Sequence, residues 1–390
     1  MAARLLLPLC IVLAAVSPLS ARDQEPTAVD YALRAAEDLI AAGRSDQALG
    51  SLTRLRAKEK SDARIPFLMA QCEYNLWRAD RKDEERLKRA RKHILAAFRL
   101  KYPYPECSFF AGLLEFDAKN WEDAEIGFRA AIAGRFRMPV ARENLALALY
   151  HRGVEMAKEA EDELGVANVA ILVFLDARDR LRELAQDTRL LPDRREFFRV
   201  HWLTAWSNLA AMHQKAGNYP AAIMEVEALR KVDPENPHHC HNLGLMYGEM
   251  GEWEKAVEWY GKALKLGAKD GFVEPHLRLA HIWSKRHDRE KAERHFEKFF
   301  EKFPNDWEAH YERGEHYRRF KEYEKAIADF LRCYELDPEA YIPLKSLSES
   351  YRLNGQAEKA AEWLEKFKVL DEKKNRETAP PQPDEEKPAK

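Results

Sequence analysis

The sequence predicts an all-α protein, a superhelical solenoid of stacked helical hairpins, and three observations carry the prediction. Ala222, Ala256, Ala292, Ala326 and Ala360 recur at intervals of 34, 36, 34 and 34 residues. A second series of short side chains keeps step: Ala210, Gly244, Ala280, Gly314 and Ser348. A third supplies bulk at Val226, Tyr260, Phe296, Phe330 and Leu364. A fixed period of this length marks an array in which each hairpin buries its apolar stripe on its neighbours. Composition agrees, because only 16 of 390 residues are glycine and good helix formers fill most windows. The 64 basic and 66 acidic side chains give a net charge of −2 and no field to gather nucleic acid, so no nucleic-acid partner is expected.

The elements follow in order. Residues 1–21 read as an export signal: Arg4 precedes an apolar run from Leu5 to Val16, Pro18 breaks it, and Ser20–Ala21 offers a small-residue cut. That run falls well short of the roughly 20 residues needed to span a bilayer. An exported protein, periplasmic or extracellular, is expected, with no stable membrane insertion once the signal is removed. Residues 22–138 carry divergent repeats. Ala36, Gly43, Ala48 and Leu52 fit one unit, and Ala70, Ala90, Ile94 and Ala97 a second, lengthened near Arg78–Glu85. Gly112, Trp121, Ala124, Phe128 and Ala131 fit a third.

Over 139–202 the period fails. Two longer helices are expected, about 139–163 and 166–187, then a loop near Leu191–Pro192–Asp193. The run Val166 to Leu175 is apolar on several faces and is expected to be well buried. Residues 203–374 divide into five units, 203–236, 237–270, 273–306, 307–340 and 341–374, each with two helices and two turns. Asp233–Pro234, Phe303–Pro304 and Asp337–Pro338 end second helices, since proline cannot continue the hydrogen-bond ladder. Gly244 and Ala256 are the expected crossing pair of one hairpin, because close approach demands short side chains. The tail, 375–390, holds four prolines among charges and reads as disordered. Cys72, Cys107, Cys240 and Cys333 are far apart, and Cys240 and Cys333 fall at inward-facing positions as small hydrophobes.

This pattern resembles the tetratricopeptide repeat family. Trp206, Leu209, Ala210, Ala222 and Pro234 match it in one unit. Leu243, Gly244, Tyr247, Ala256, Tyr260 and Ala263 match in the next, and Gly314, Tyr317, Tyr323, Ala326, Phe330 and Pro338 in the fourth. Arg313, Ala268 and Arg289 depart from it without disturbing the register. The resemblance implies that first helices of successive units line the concave face. On it lie His238, His241, Asn242, Arg278, His281, Lys285, Tyr311, Glu312, Glu315, Arg319 and Lys345. These mix donors, acceptors and aromatic area, which suits an extended peptide or a partner helix. The family also has a Lys–Asn–Arg clamp for a terminal carboxylate. Asn242 and Arg278 occupy two of its places, but Ser207, Ala211 and Glu274 stand in the others, so the clamp is incomplete.

Enzyme signals are absent: no phosphate loop, no nucleophile elbow and no His-Glu-x-x-His pair occur. No cofactor is expected. His238, His239, Cys240 and His241 invite a metal, but on a helix His238 and His241 share one face while His239 and Cys240 point elsewhere, and no metal site is expected. The expected role is a non-catalytic scaffold for a protein or peptide partner, in a cell-envelope setting. Two other readings stay open. One is an enzyme or enzyme subunit with a polar pocket and perturbed histidines in 139–202. The other is a polymer- or carbohydrate-binding array using Trp283 and Trp307.

Overall fold

The computed structural model describes residues 26–160 and 164–378, and every element in them is helical. The expected export signal and residues 379–390 of the tail lie outside the described residues. The chain forms two compact units that divide between Asn218 and Tyr219.

The first unit holds α1 (Ala28–Ala41), α2 (Ser45–Lys58), α3 (Arg64–Ala79), α4 (Glu84–Arg99), α5 (Tyr104–Asp117), α6 (Trp121–Ala133), α7 (Met138–Glu159), α8 (Leu164–Gln186) and α9 (Pro192–Lys215). The first six form three hairpins over the divergent repeats. The next three are long: α7 and α8 are the two longer helices the lost period predicts, and α9 adds a third by running from residue 192 into the first repeat of the array. Pro139 and Pro192 sit in the first turns of α7 and α9, where a missing N–H costs nothing. The first helix of the 203–236 unit is the C-terminal half of α9, whose Phe198, Trp202 and Ala205 share a core with Ala170, Phe174 and Leu181 of α8. The run from Val166 to Leu175 is less buried than its composition suggests. Ala167, Ala170 and Phe174 are sealed, but Leu172 is 66% exposed and Val169 also faces out. A helical period turns one side of α8 away from α7 and α9 whatever residues occupy it.

The second unit holds α10 (Tyr219–Val232), α11 (Pro237–Glu249), α12 (Trp253–Leu266), a 3-10 turn (Gly267–Asp270), α13 (Glu274–Lys285), α14 (Arg289–Phe300), α15 (Trp307–Arg319), α16 (Tyr323–Leu336), α17 (Ile342–Leu353) and α18 (Ala357–Thr378). The last helix runs past residue 374, where the array was expected to end. Local chemistry sets the starts. Asn236 accepts from the His238 N–H, Asp288 from Lys291 and Asp306 from Ala309. Chain reversal after the first helix recurs in one form. At Gly251, φ is 76°, its N–H donates to Gly248 and that of Glu252 to Tyr247, which satisfies carbonyls at the helix end.

The hairpin crossing differs from the expected Gly244–Ala256 pair. Gly244 lies under the ring of Tyr260, while Ala256 faces Gly248. Gly112 meets Phe128 and Gly314 meets Phe330 in the same way. The short residue therefore accommodates an aromatic face from the second helix, and at Gly112 the backbone of Gly127 as well. All four cysteines among the described residues are buried and free. Burial pushes the thiols of Cys72, Cys107 and Cys333 up to about 12, so they are inert packing groups.

Candidate partner-binding face

In the second unit, the first helices α13, α15 and α17 are neighbours, and side chains on their common side bond from one repeat to the next. Arg278 of α13 pairs with Glu308 of α15 at 3.0 Å. His281 Nδ1 lies 2.5 Å from a Glu312 carboxylate oxygen. Arg319 donates to the Ser284 hydroxyl at 2.7 Å, and the His316 ring meets the same hydroxyl at 3.0 Å. Arg318 holds Glu315 at 2.6 Å on its own helix and Glu349 of α17 at 3.3 Å. Tyr311 hydrogen bonds Ser346 of α17 and rests on Phe330. Partly exposed pairs of this kind contribute only about 0.2–1 kcal/mol each. Their larger effect is to fix side-chain positions and to consume charge.

Of the eleven residues expected on this face, Arg278, His281, Tyr311, Glu312, Glu315 and Arg319 are thus drawn into bonds within the array. His238 is exposed beside Phe272, and Asn242 is half-buried. His241 packs against Tyr260 and Phe272, and its Nδ1 is buried without a hydrogen-bond partner. Burial, with Arg278 and His238 nearby, lowers it to about 4, so at neutral pH it is an uncharged packing group. Lys285 is exposed, its ammonium 5.6 Å from the centre of the Trp253 ring, and Lys345 is exposed on α17. Ser284, Glu308, Arg318, Ser346 and Glu349 were missed. Their signal in the sequence was a bonding partner one repeat away, on the preceding or following first helix.

The charge balance is uneven in consequence. Glu308, Glu312, Glu315 and Glu349 each meet a cation or imidazole of the array. Lys285, Arg319 and Lys345 have no carboxylate partner among the described residues. They stand on three successive first helices, with Lys285 and Arg319 one 34-residue period apart.

The alternative sites are also placed. A cavity of about 780 Å³ opens in the first unit between the start of α7, the end of α8 and the loop after it. Met138, Pro139, Leu184, Arg142, Glu183 and Asp187 are among the residues that line it. None of its lining residues is a histidine, and His151, which burial lowers, lies elsewhere on α7. Trp283 is half-buried beneath Lys291 at 4.1 Å, which suits an inward-packing residue. Trp307 is 40% exposed and borders a smaller pocket with Tyr341, Ile342 and Leu370. Among the described residues no three His, Cys, Asp or Glu side chains converge as metal ligands. No helix there is long and apolar enough to cross a membrane.

Family models for the tetratricopeptide repeat match residues 240–274 and 277–341. Anaphase-promoting complex subunit 3 of Schizosaccharomyces pombe is 22% identical over 151 residues, which is 39% of this chain and 22% of that protein. The match therefore spans about a fifth of that relative's length. Among solved structures, MamA from Desulfovibrio magneticus RS-1 is 20% identical, with a TM-score of 0.40 over 44% of this chain and 97% of its own. PilW, a type IV pilus biogenesis factor, is 20% identical, with a TM-score of 0.40 over 44% of this chain and 78% of its own. Residues 240–341 thus carry matched tetratricopeptide repeats within an all-helical array.

Proposed function

We propose that residues 219–374 hold a protein or peptide partner on the side lined by the first helices, and that the chain is a non-catalytic scaffold. The observation that carries the reading is the set of uncompensated cations, Lys285, Arg319 and Lys345, on a face whose carboxylates are already bonded. A partner bearing acidic side chains would supply the missing charge, and a prebuilt face loses little freedom on binding. Export to the cell envelope belongs to the same proposal and rests on the leader-like residues 1–21.

The test uses a defined probe and a defined variant. A fluorescein-labelled acidic peptide and a basic peptide of equal length are titrated against the chain by anisotropy. The acidic peptide is expected to bind, with affinity falling as salt rises. The triple variant Lys285→Glu, Arg319→Glu, Lys345→Glu should weaken it by about tenfold or more. Arg278 is left intact, because reversing it would break its bond to Glu308 and confuse binding with folding. Equal binding of both peptides, or no effect of the triple reversal, would remove the proposal. Fractionation of cells expressing the chain with and without residues 1–21 tests the location.

A further inference from the structure

Within the third repeat, two histidines face each other across the hairpin. His276 of α13 and His295 of α14 bring their Nδ1 atoms to 2.8 Å, with ring centres 5.0 Å apart. Both rings are half-buried. A hydrogen bond between two such nitrogens needs one donor and one lone pair. Two neutral rings can supply that, and so can one neutral ring with one protonated ring. Two protonated rings cannot: both nitrogens would then be donors, and two positive charges would stand in contact.

The fourth repeat shows what the same positions do with different chemistry. His310 and Asp329 lie one period later, 34 residues after His276 and His295. There the imidazole Nδ1 is 2.9 Å from a carboxylate oxygen, its Nε2 is 3.0 Å from the Pro304 carbonyl, and Arg313 holds the same carboxylate at 2.8 Å. Both nitrogens of that imidazole therefore face acceptors, and no second base stands against it. The fifth repeat uses Leu344 and Trp363, which do not titrate. Only the third repeat among these three places two titratable bases against each other.

We infer that the His276–His295 pair is an acid-released latch that holds α13 on α14 at neutral pH and lets the hairpin loosen when both rings are protonated. The inference concerns regulation of the proposed binding face and so rests partly on that reading, because α13 also carries Arg278, His281 and Lys285. Few groups compensate the second proton. Burial disfavours charge on both rings, Lys298 opposes and Glu301 favours it at His276, and the paired ring and Arg294 oppose it at His295. Those charges come from α14 and its C-terminal turn. Among the described residues no ionised group of α12 adds to them, and α15 commits His310 and Arg313 to Asp329. The direction follows. Both rings titrate below the ordinary 6.5 when folded, so their stabilisation is complete above 6.5 and is lost as the pH falls through the folded range.

Hydrogen exchange of the whole chain, followed by mass spectrometry and corrected for the intrinsic pH dependence, tests the latch without any ligand. Opening of α13–α14 should increase by about tenfold per pH unit below 6.5, relative to α15–α16. His295→Asp installs the pair that the fourth repeat carries and should abolish this excess opening. His295→Gln keeps a hydrogen-bonding amide and removes one base, so it should reduce the excess even where the Asp variant folds poorly. Equal protection of the two hairpins down to about pH 5, or excess opening that persists in both variants, would overturn the latch. Either result stands whether or not the acidic peptide binds, so failure of the latch and failure of the binding face are separable.

Discussion

A methyl group added to Gly244 would lie 2.6 Å from Cδ1 and Cε1 of the Tyr260 ring. Real carbon pairs do not approach so closely, so the ring fixes glycine at this position. Tyr260 is only 2% exposed and has no free space to retreat into. Gly244→Ala therefore sets two effects against each other. Helix propensity favours alanine by about 1 kcal/mol. Overpacking a sealed interior costs about 1–3 kcal/mol, and the second effect should win. Gly248 is the control, since an added Cβ there reaches only the Ala256 methyl at 4.0 Å. Gly248→Ala should gain up to about 1 kcal/mol. Urea unfolding of both variants measures the difference, and two shifts of the same sign would contradict the argument.

The turn position filled by Gly251 and Gly355 holds Lys321 in the fourth repeat, and its φ is 63°. Its N–H still closes the helix end, donating to Arg318 while that of Glu322 donates to Tyr317. A side chain in this conformation costs about 1 kcal/mol, whereas glycine adopts it freely. Lys321→Gly is expected to stabilise the protein by about 0.5–1 kcal/mol after the extra entropy of the unfolded glycine is counted. A lower melting temperature would show that the lysine side chain makes a contribution beyond its backbone.

Asp329 is the most deeply set carboxylate of the second unit's buried ion network, with His310 and Arg313 both bonded to it. Burial opposes its ionisation. The hydrogen bonds and charge of its two partners outweigh that and hold the carboxyl below the ordinary 3.8. Asp329→Asn leaves Arg313 without its counter-charge in a half-buried site and should cost about 3 kcal/mol at pH 7. The pH dependence separates two groups of residues. A depressed carboxyl stabilises the fold above 3.8 and loses that contribution as the pH falls through its folded value. The histidines held low by burial, His241 and His295 at about 4, lose theirs earlier, between 6.5 and about 4. Denaturation across a pH series should show two acid steps in the wild type, and the lower one should be smaller in the Asn variant, where Asp30, Asp62 and Asp288 keep their own depressed carboxyls. A lower step of unchanged size in Asp329→Asn would assign it elsewhere.

The period of 34 determined a great deal before any coordinates. Short residues at 244 and 314, bulk at 260 and 330, and prolines after second helices define helices, turns and repeat register through local sterics and backbone hydrogen bonding. The loss of period over 139–202 likewise foretold the long α7 and α8, because nothing there punctuates the chain at hairpin spacing. The sequence also identified which helices would share a face, since that follows from order alone in a repeat array.

Other features depended on which residues from different repeats meet. Gly244 was expected against Ala256 because both are small, but helix rotation brings Tyr260 over it instead. Arg278 and Glu312 looked available for a partner as single residues. The packing of α13 on α15 sets them against Glu308 and His281, and leaves Lys285, Arg319 and Lys345 as the uncompensated charges. His276 and His295 are 19 residues apart and unremarkable in a chain with 13 histidines, and only the hairpin brings their nitrogens together. Local chemistry thus fixed the helices and their order by short-range sterics. The tertiary fold alone decided which charges and protons face each other, because that depends on the rotation of helices whose register a one-dimensional pattern does not contain.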